Sequence, residues 1–369
     1  MIRGSELSGA AELIWVGPAA EQPSGGTLYN RRVLEALDGL GVAVVRLDVP
    51  GSWPSPSAEQ AAALRDQLAS ARAQHRQAVV IVDGLLGAAV PDLFAGGASG
   101  GDQGPESGED PLADVLLWHL PVALDGADER LIQAEGQAVR AASAVVVTSR
   151  WAAAQVRTAH GRDGAGVIIP GVDPAAPAGG PAIPSSAADP VPGFAVVASL
   201  TPRKNHRVLI PALAALLEHP WQLHLAGPGA ETVFGRELLD ELAQELPGRI
   251  IAHGSLEQSE LEELWAATDL LLLPSRAETY GMVVTEAAAR GIPSVVSAGT
   301  GAVEALDGAG LVVPADSPRH WYSALHRWLS DPGERDTLRT AVDERRGRLT
   351  TWQQSAHRWM RLVRSLRTG

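Results

Sequence analysis

The stretch PSRAETYGMVVTEAAARGIPSVVSAGTGAVE, residues 274–304, decides how this chain is read. It follows an apolar run, DLLLL at 269–273, which has the length and character of a parallel strand buried on both faces, and Pro274 ends that run. The spacing predicts a short loop over 275–280, then Gly281, then a helix over 282–290 closed by Gly291 and Pro293. A loop that leaves the carboxyl end of a parallel strand and feeds a helix offers an anion free backbone N–H groups and the positive end of the helix dipole. Glu278 falls in the loop and Glu286 on the helix. Phosphate repels carboxylates at such a place, but neutral hydroxyls, such as those of a sugar and a ribose, donate hydrogen bonds to them. By itself the pair is equally what a solvated loop acid and an N-terminal helix acid would leave.

Working outward, the same strand-then-helix unit recurs on both sides. Strands are expected at 194–198, 223–226 and 250–251, and helices at 207–217, 235–245 and 258–267. The first half repeats the pattern, with strands at 12–16, 42–45, 78–82, 115–117, 144–147 and 167–169 and helices at 28–40, 52–74 and 127–142. Such alternation implies right-handed crossovers and parallel sheets, so each half is Rossmann-like and the fold class is α/β. A length of 369 residues suits two domains. The segment APAGGPAIPSSAADPVPG at 176–193 reads as the linker between them. The expected organisation is therefore 1–175, linker 176–193, 194–345, and a closing helix at 346–369 packed back on the body. Residues 94–114, glycine-rich and acidic, read as a surface insertion, with a lid as the alternative. Residues 321–366 read as helical, with Trp321, Trp328, Trp352 and Trp359 pinning them to the body.

Composition excludes several classes. A net charge of −13 disfavours nucleic acid as a partner, since phosphate binding needs a basic surface. The absence of cysteine removes disulfides, thiolate nucleophiles and cysteine zinc sites. No run approaches the length of a membrane span and the opening residues lack a signal-peptide core, so a cytoplasmic protein without an integral membrane segment is expected. Residues 1–190 hold 12 Arg against 22 acidic residues, so this half is not expected to bind anionic lipid. The 30 basic residues include a single lysine, Lys204, inside SLTPRKNH at 199–206. A compact ammonium on a flexible stem is a common phosphate binder. Near the start, Gly25 and Gly26 follow the first strand and read either as an anion cradle or as a tight turn.

With its second apolar run at 293–296 and the small-residue turn SAGTG at 297–301, the opening stretch resembles the signature of the retaining glycosyltransferases of family 4. Their fold is GT-B, two Rossmann-like doubly wound parallel-sheet domains facing each other across a cleft. The likeness runs from Gly25 to the region of Trp352 and is strongest between Lys204 and Glu304. It implies that Glu278 contacts donor-sugar hydroxyls, that Glu286 holds the ribose and that Lys204 contacts the donor diphosphate. GGTLYNRRVLEALDGLGVAVV at 25–45 resembles the family's glycine-rich first loop, which approaches the donor phosphates. His119, in WHLP at 118–121, matches a His-x-Pro element lining the reaction centre. VVVTSRW at 145–151 and VIIPGVDP at 167–174 look like family elements closing the first domain.

The resemblance thus makes Lys204, Glu278 and His119 the expected catalytic residues. Donor binding is assigned to Gly25, Gly26, Ser199, Arg203, Lys204, Tyr280, Gly281, Met282 and Glu286, with Trp118 and Arg150 as acceptor-side candidates. The commoner family pattern has an arginine five residues before the lysine, where this chain has Ser199, so diphosphate neutralisation is left to Lys204 with Arg203 or with backbone N–H groups. No Asp-x-Asp motif occurs, so no bridging metal and no cofactor is expected beyond the nucleotide sugar, which is a substrate. The implied partners are a nucleotide-diphosphate sugar and a hydroxyl-bearing acceptor: a small molecule, a glycan or a lipid-linked glycan. The implied reaction is metal-independent hexosyl transfer with retention. The alternatives are a nucleotide-sugar epimerase or hydrolase of the same fold, which needs no acceptor, and a non-catalytic nucleotide-sugar-binding protein.

Overall fold

A computed structural model describes residues 12–19, 24–95, 110–178 and 191–368. The core of the glycine-rich insertion (96–109) and most of the expected linker (179–190) lie outside the described residues. The chain divides into two compact units, Met1–Gly171 with Thr351–Gly369, and Val172–Thr350.

The first unit runs β1 (Leu13–Pro18), α1 (Gly25–Gly39), β2 (Val44–Val49), α2 (Ala58–Gln74), β3 (Val79–Asp83), α3 (Gly84–Ala89), β4 (Val115–Trp118), α4 (Glu129–Ala141), β5 (Ala144–Val147), α5 (Arg150–His160) and β6 (Gly166–Val167). Its six strands are parallel, in the order β2-β1-β3-β4-β5-β6. VVIVD in β3 and VLLW in β4 are buried throughout, as expected of strands covered on both faces. The chain steps from β1 outward to β2, then returns to the opposite side of β1 as β3. That reversal leaves a crevice outside the carboxyl ends of β1 and β3, the place where open α/β sheets bind ligands.

The second unit runs β7 (Gly193–Val197), α6 (Leu209–Ala214), β8 (Gln222–Ala226), α7 (Val233–Glu245), β9 (Ile250–Gly254), α8 (Gln258–Ala266), β10 (Leu270–Leu273), α9 (Met282–Ala289), β11 (Ser294–Ser297), α10 (Ala302–Leu306), β12 (Gly310–Val313), α11 (Pro318–Ser330) and α12 (Pro332–Arg346). These six strands are also parallel, in the order β12-β11-β10-β7-β8-β9. Here the direction reverses between β7 and β10. Each sheet has its own apolar core. Ile14, Val80, Leu116 and Val147 are central to the first, and Phe194, Leu225, Leu270 and Val295 to the second.

The last helix, α13 (Trp352–Thr368), belongs to the first unit. Trp359 is fully buried with its ring 5.0 Å from that of Trp15, and its indole N–H donates to the Tyr29 hydroxyl at 3.0 Å. Tyr29 in turn donates to the Ile168 carbonyl at 3.3 Å, and burial pushes its phenol well above the ordinary range. Trp321 and Trp328 are instead buried in the core of the second unit. Four tryptophans in one terminal stretch thus serve two cores.

Several expected boundaries moved. The first helix begins at Gly25 rather than 28, because Ser24 caps it and forms a capping box with Thr27. The helix expected over 207–217 shrinks to α6, preceded by 3₁₀ turns at Pro202–Lys204 and His206–Val208. The stretch read as helical over 321–366 is divided among three helices. Pro332 has no N–H to continue the ladder from α11, and a break at 347–351 separates α12 from α13.

Candidate active site

In the second unit the turn after β7 carries Ser199, Arg203 and Lys204, and the loop after β10 carries Glu278. Strand order makes β7 and β10 neighbours, so residues 74 positions apart meet: Lys204 Nζ lies 2.6 Å from Glu278 Oε2. Both side chains are about 15% exposed (15% and 14%), so each charge depends on the other more than on water. Ser275 Oγ lies 3.4 Å from the same carboxylate oxygen.

The backbone around this pair is tightly held. Asn205 adopts a left-handed conformation (φ 56°), and its amide nitrogen donates to the carbonyls of Pro274 (3.1 Å) and Ala315 (2.9 Å). The Arg276 N–H donates to the Arg203 carbonyl at 2.9 Å, joining the two loops main chain to main chain. The Gly301 N–H donates to the Glu278 carbonyl at 2.6 Å. A Cβ on Gly301 would stand 2.0 Å from the Thr279 carbonyl oxygen, so only glycine permits that approach.

Gly281 opens α9 at φ 82°. Its positive φ and the flanks of Leu273 and Ala302 (3.2 and 3.3 Å from a Cβ there) leave little room for a side chain. Met282 is the first residue of α9, where N–H groups are unmatched within the helix. Glu286 stands one turn further along, half-buried, with the Arg290 guanidinium donating to its carbonyl at 2.9 Å. Tyr280 is buried, and burial raises its phenol pKa while the nearby Arg345 opposes the rise. The Arg203 guanidinium lies 3.4 Å from the Ala277 carbonyl, and Ser199 is half-buried with its carbonyl accepting from Thr201 N–H at 3.0 Å.

In the first unit, three polar side chains gather at the reversal between β1 and β3. Asn30 Nδ2 on α1 donates to Asp83 Oδ2, at the end of β3, at 2.8 Å. His119, just beyond β4, has Nε2 3.0 Å from Asn30 Oδ1 and 3.4 Å from Asp83 Oδ2. Since the Asn30 amide faces Asp83 with its nitrogen, its oxygen faces the imidazole, which assigns the ring proton to Nε2 and leaves Nδ1 an acceptor. Burial lowers the His119 pKa, against the pull of Asp83, so the ring is neutral near pH 7.

Gly25 and Gly26 are the first two residues of α1, and a Cβ on Gly26 would lie 3.2 Å from the His119 ring, so the glycine makes room for the imidazole. Trp118 is also corrected: it is fully buried, and its indole N–H donates to Glu135 Oε1 at 2.8 Å, leaving no surface for an acceptor to stack on. The same buried carboxylate accepts from Val122 N–H at 3.1 Å and meets His160 Nε2 at 3.0 Å. Arg150 is exposed as the first residue of α5, behind the Ser149 cap. Sequence reasoning missed Asn30, Asn205 and Ser275. An acid closing an apolar strand just before a glycine, as in VVIVDG, was the available signal for Asp83; Asn30 carried none. Among the described residues no three or more His, Asp or Glu side chains gather as a metal site, and no helix is long and apolar enough to cross a membrane.

The family model for glycosyl transferases group 1 matches residues 191–331, the stretch that holds Lys204, Glu278 and Glu286. A D-inositol 3-phosphate glycosyltransferase of Kineococcus radiotolerans is 31% identical over 257 residues, 62% of this chain and 59% of that protein. One from Corynebacterium urealyticum is 32% identical over 175 residues, 45% of this chain and 41% of that protein. The chain thus spans well under two thirds of the length of these relatives. Among solved structures, a sucrose-phosphate synthase of Thermosynechococcus elongatus superposes with a TM-score of 0.77 at 20% identity, covering 96% of this chain and 99% of that one. Anabaena HepE, solved in complex with UDP-glucose, gives a TM-score of 0.71 at 17% identity, with 96% and 99% covered. Together with the two six-stranded parallel sheets, these likenesses show that the chain has the GT-B fold, with residues 191–331 similar to the group 1 glycosyl transferases.

Proposed function

We propose that the protein is a retaining glycosyltransferase that moves a hexosyl group from a nucleotide-diphosphate sugar to a hydroxyl acceptor without a bridging metal. The observation that carries this reading is the ion pair of Lys204 and Glu278, set at the β7/β10 reversal beside the N-terminus of α9. A cation for phosphate and a carboxylate for hydroxyls at one sheet edge are what a nucleotide sugar needs at its diphosphate–sugar junction.

As the bond between C1 of the sugar and the diphosphate oxygen breaks, its electron pair stays on that oxygen. Lys204 and the N–H groups of Gly281 and Met282 stabilise the growing charge. The acceptor oxygen bonds to C1 on the face the diphosphate leaves, and its proton passes to the departing phosphate. Glu278 accepts hydrogen bonds from the sugar hydroxyls and Glu286 from the ribose. In the first unit, neutral His119 offers a hydroxyl one hydrogen-bond donor and one acceptor. The complex of HepE with UDP-glucose supports a uridine donor as the first candidate, and the name of the Kineococcus relative supports a small polyol phosphate among the acceptors to try.

The test is a thermal-shift screen with UDP, GDP and ADP and their glucose and mannose conjugates, followed by nucleoside diphosphate release with and without acceptors. Ligand at 100 times its Kd adds about 2.7 kcal/mol of stability. A shift with one nucleotide series, reduced in Lys204→Ala, and release that requires an acceptor are expected. No shift with any series sinks the reading, and acceptor-independent release would replace it with hydrolysis or epimerisation.

A further inference from the structure

We propose that Glu278 makes the site favour the intact donor over its nucleoside diphosphate product, by competing with the diphosphate for Lys204. This rests on the donor-site reading above and adds a role in product release. The two groups assigned to phosphate and to sugar hydroxyls hold each other at 2.6 Å. Lys204 is the one lysine of the chain, so no other ammonium can replace it.

Drawing Lys204 fully onto a diphosphate would leave Glu278, only 14% exposed, as a carboxylate short of partners. A mostly buried charge left without its partner is costly. Ser275 Oγ, at 3.4 Å, is one neutral donor and cannot replace the ammonium. The backbone cannot carry the carboxylate away, because the Glu278 carbonyl is tied to the Gly301 N–H and Gly301 is wedged against Thr279. The side chain must find its new partners in place.

An intact nucleotide sugar supplies them, since its hydroxyls donate to the carboxylate while its diphosphate takes the ammonium. A nucleoside diphosphate offers only acceptor oxygens at that junction, which repel the carboxylate. The donor therefore satisfies both halves of the pair, and the product satisfies one. Once the sugar has left, Glu278 reclaims Lys204 and weakens the hold on the diphosphate.

Calorimetric titration of the full chain with UDP and UDP-glucose, and with the GDP and ADP counterparts, tests this on wild type, Glu278→Gln, Lys204→Ala and the double variant. Glu278→Gln is expected to bind the diphosphate about ten-fold more tightly and the nucleotide sugar more weakly, the size expected when a charged hydrogen-bond partner is removed. In the Lys204→Ala background the gain from Glu278→Gln should shrink to about two-fold, what screened repulsion alone leaves. Glu278→Asp keeps the charge but shortens the reach, and should also tighten the diphosphate; it serves if Glu278→Gln fails to fold. Unchanged or weaker diphosphate binding in the Glu278 variants overturns the proposal, and so does an undiminished gain without Lys204. Absence of nucleotide binding by wild type overturns the donor-site reading itself, and this inference with it.

Discussion

At the β1/β3 reversal of the first sheet an amide meets a carboxylate, Asn30 to Asp83 at 2.8 Å; at the β7/β10 reversal of the second an ammonium meets one, Lys204 to Glu278 at 2.6 Å. The two places are topologically equivalent, since each lies outside the carboxyl ends of the strands where the winding changes direction. Their chemistry is not equivalent. Asp83 is 3% exposed and accepts from Asn30, from the Leu85 N–H at 3.0 Å and from the side of His119, so it orients a neutral ring. Glu278 is held to a single strong partner, which a ligand can replace. Strand order selects where polar residues meet, and side-chain choice decides whether they form a fixed brace or an exchangeable pair.

The largest effect should come from breaking the exchangeable pair. Lys204→Ala is expected to lower kcat/KM for sugar transfer on the order of 10²–10³, the usual cost of losing one charge-stabilising group, and to lower the melting temperature as well, since Glu278 is left a mostly buried carboxylate without its partner. A loss below ten-fold would move the decisive charge elsewhere. Breaking the brace should cost less. Asn30→Ala, which frees His119, is expected to slow transfer about ten-fold with UDP affinity unchanged, the size of one hydrogen bond to a buried charge. An equal fall in UDP affinity would show the brace to be part of nucleotide binding, and the contrast between the two sites would fail. Glu286→Ala, on the exchangeable side, should weaken nucleotide binding by up to about ten-fold and leave the turnover of bound donor near wild type. Near-normal nucleotide affinity would remove the ribose assignment.

The mildest perturbation is pH. Burial, reinforced by Lys204, pulls the His206 pKa down to about 4, and burial, reinforced by His253, does the same for His224. Both belong to the second unit. Between pH 6.5 and 4 the unfolded chain binds these protons and the native chain does not, so the stability they carry is full above 6.5 and is lost as pH falls toward 4. Melting temperatures recorded over pH 4–8 should show that decline, and His206→Leu should flatten it. A profile that His206→Leu leaves unaltered would assign acid sensitivity to other groups.

Much of this architecture was legible in the chain. The run at 269–273 had to be a strand buried on both faces because nothing in it suits a wet surface, and Pro274 fixed its end; β10 is Leu270–Leu273. Gly281 and Gly291 bracketed α9 because each occupies a positive φ (82° and 72°) that other residues avoid. Helix starts were less legible. The capping box that begins α1 at Gly25 depends on Ser24 and Thr27 turning toward each other, and glycines in a first turn look like a loop. Trp118 shows the limit for single residues. A tryptophan at a strand end suits a ligand platform or a core equally, and the buried acid on α4 that claims its indole N–H is 17 residues away.

By itself the sequence determined the α/β class, the parallel sheets, the chemistry available at position 204 and the two glutamates, one before α9 and one on it, since these follow from local periodicity, breakers and residue type. It also carried the family likeness. Only the tertiary structure decided that Lys204 and Glu278 touch, that Asn30 and Asp83 brace His119, that Tyr280 is buried, and that α13 returns to the first unit. The physical reason is one of range. Propensity and patterning act over a few residues, whereas the order of strands in a sheet brings together side chains that the chain itself holds far apart.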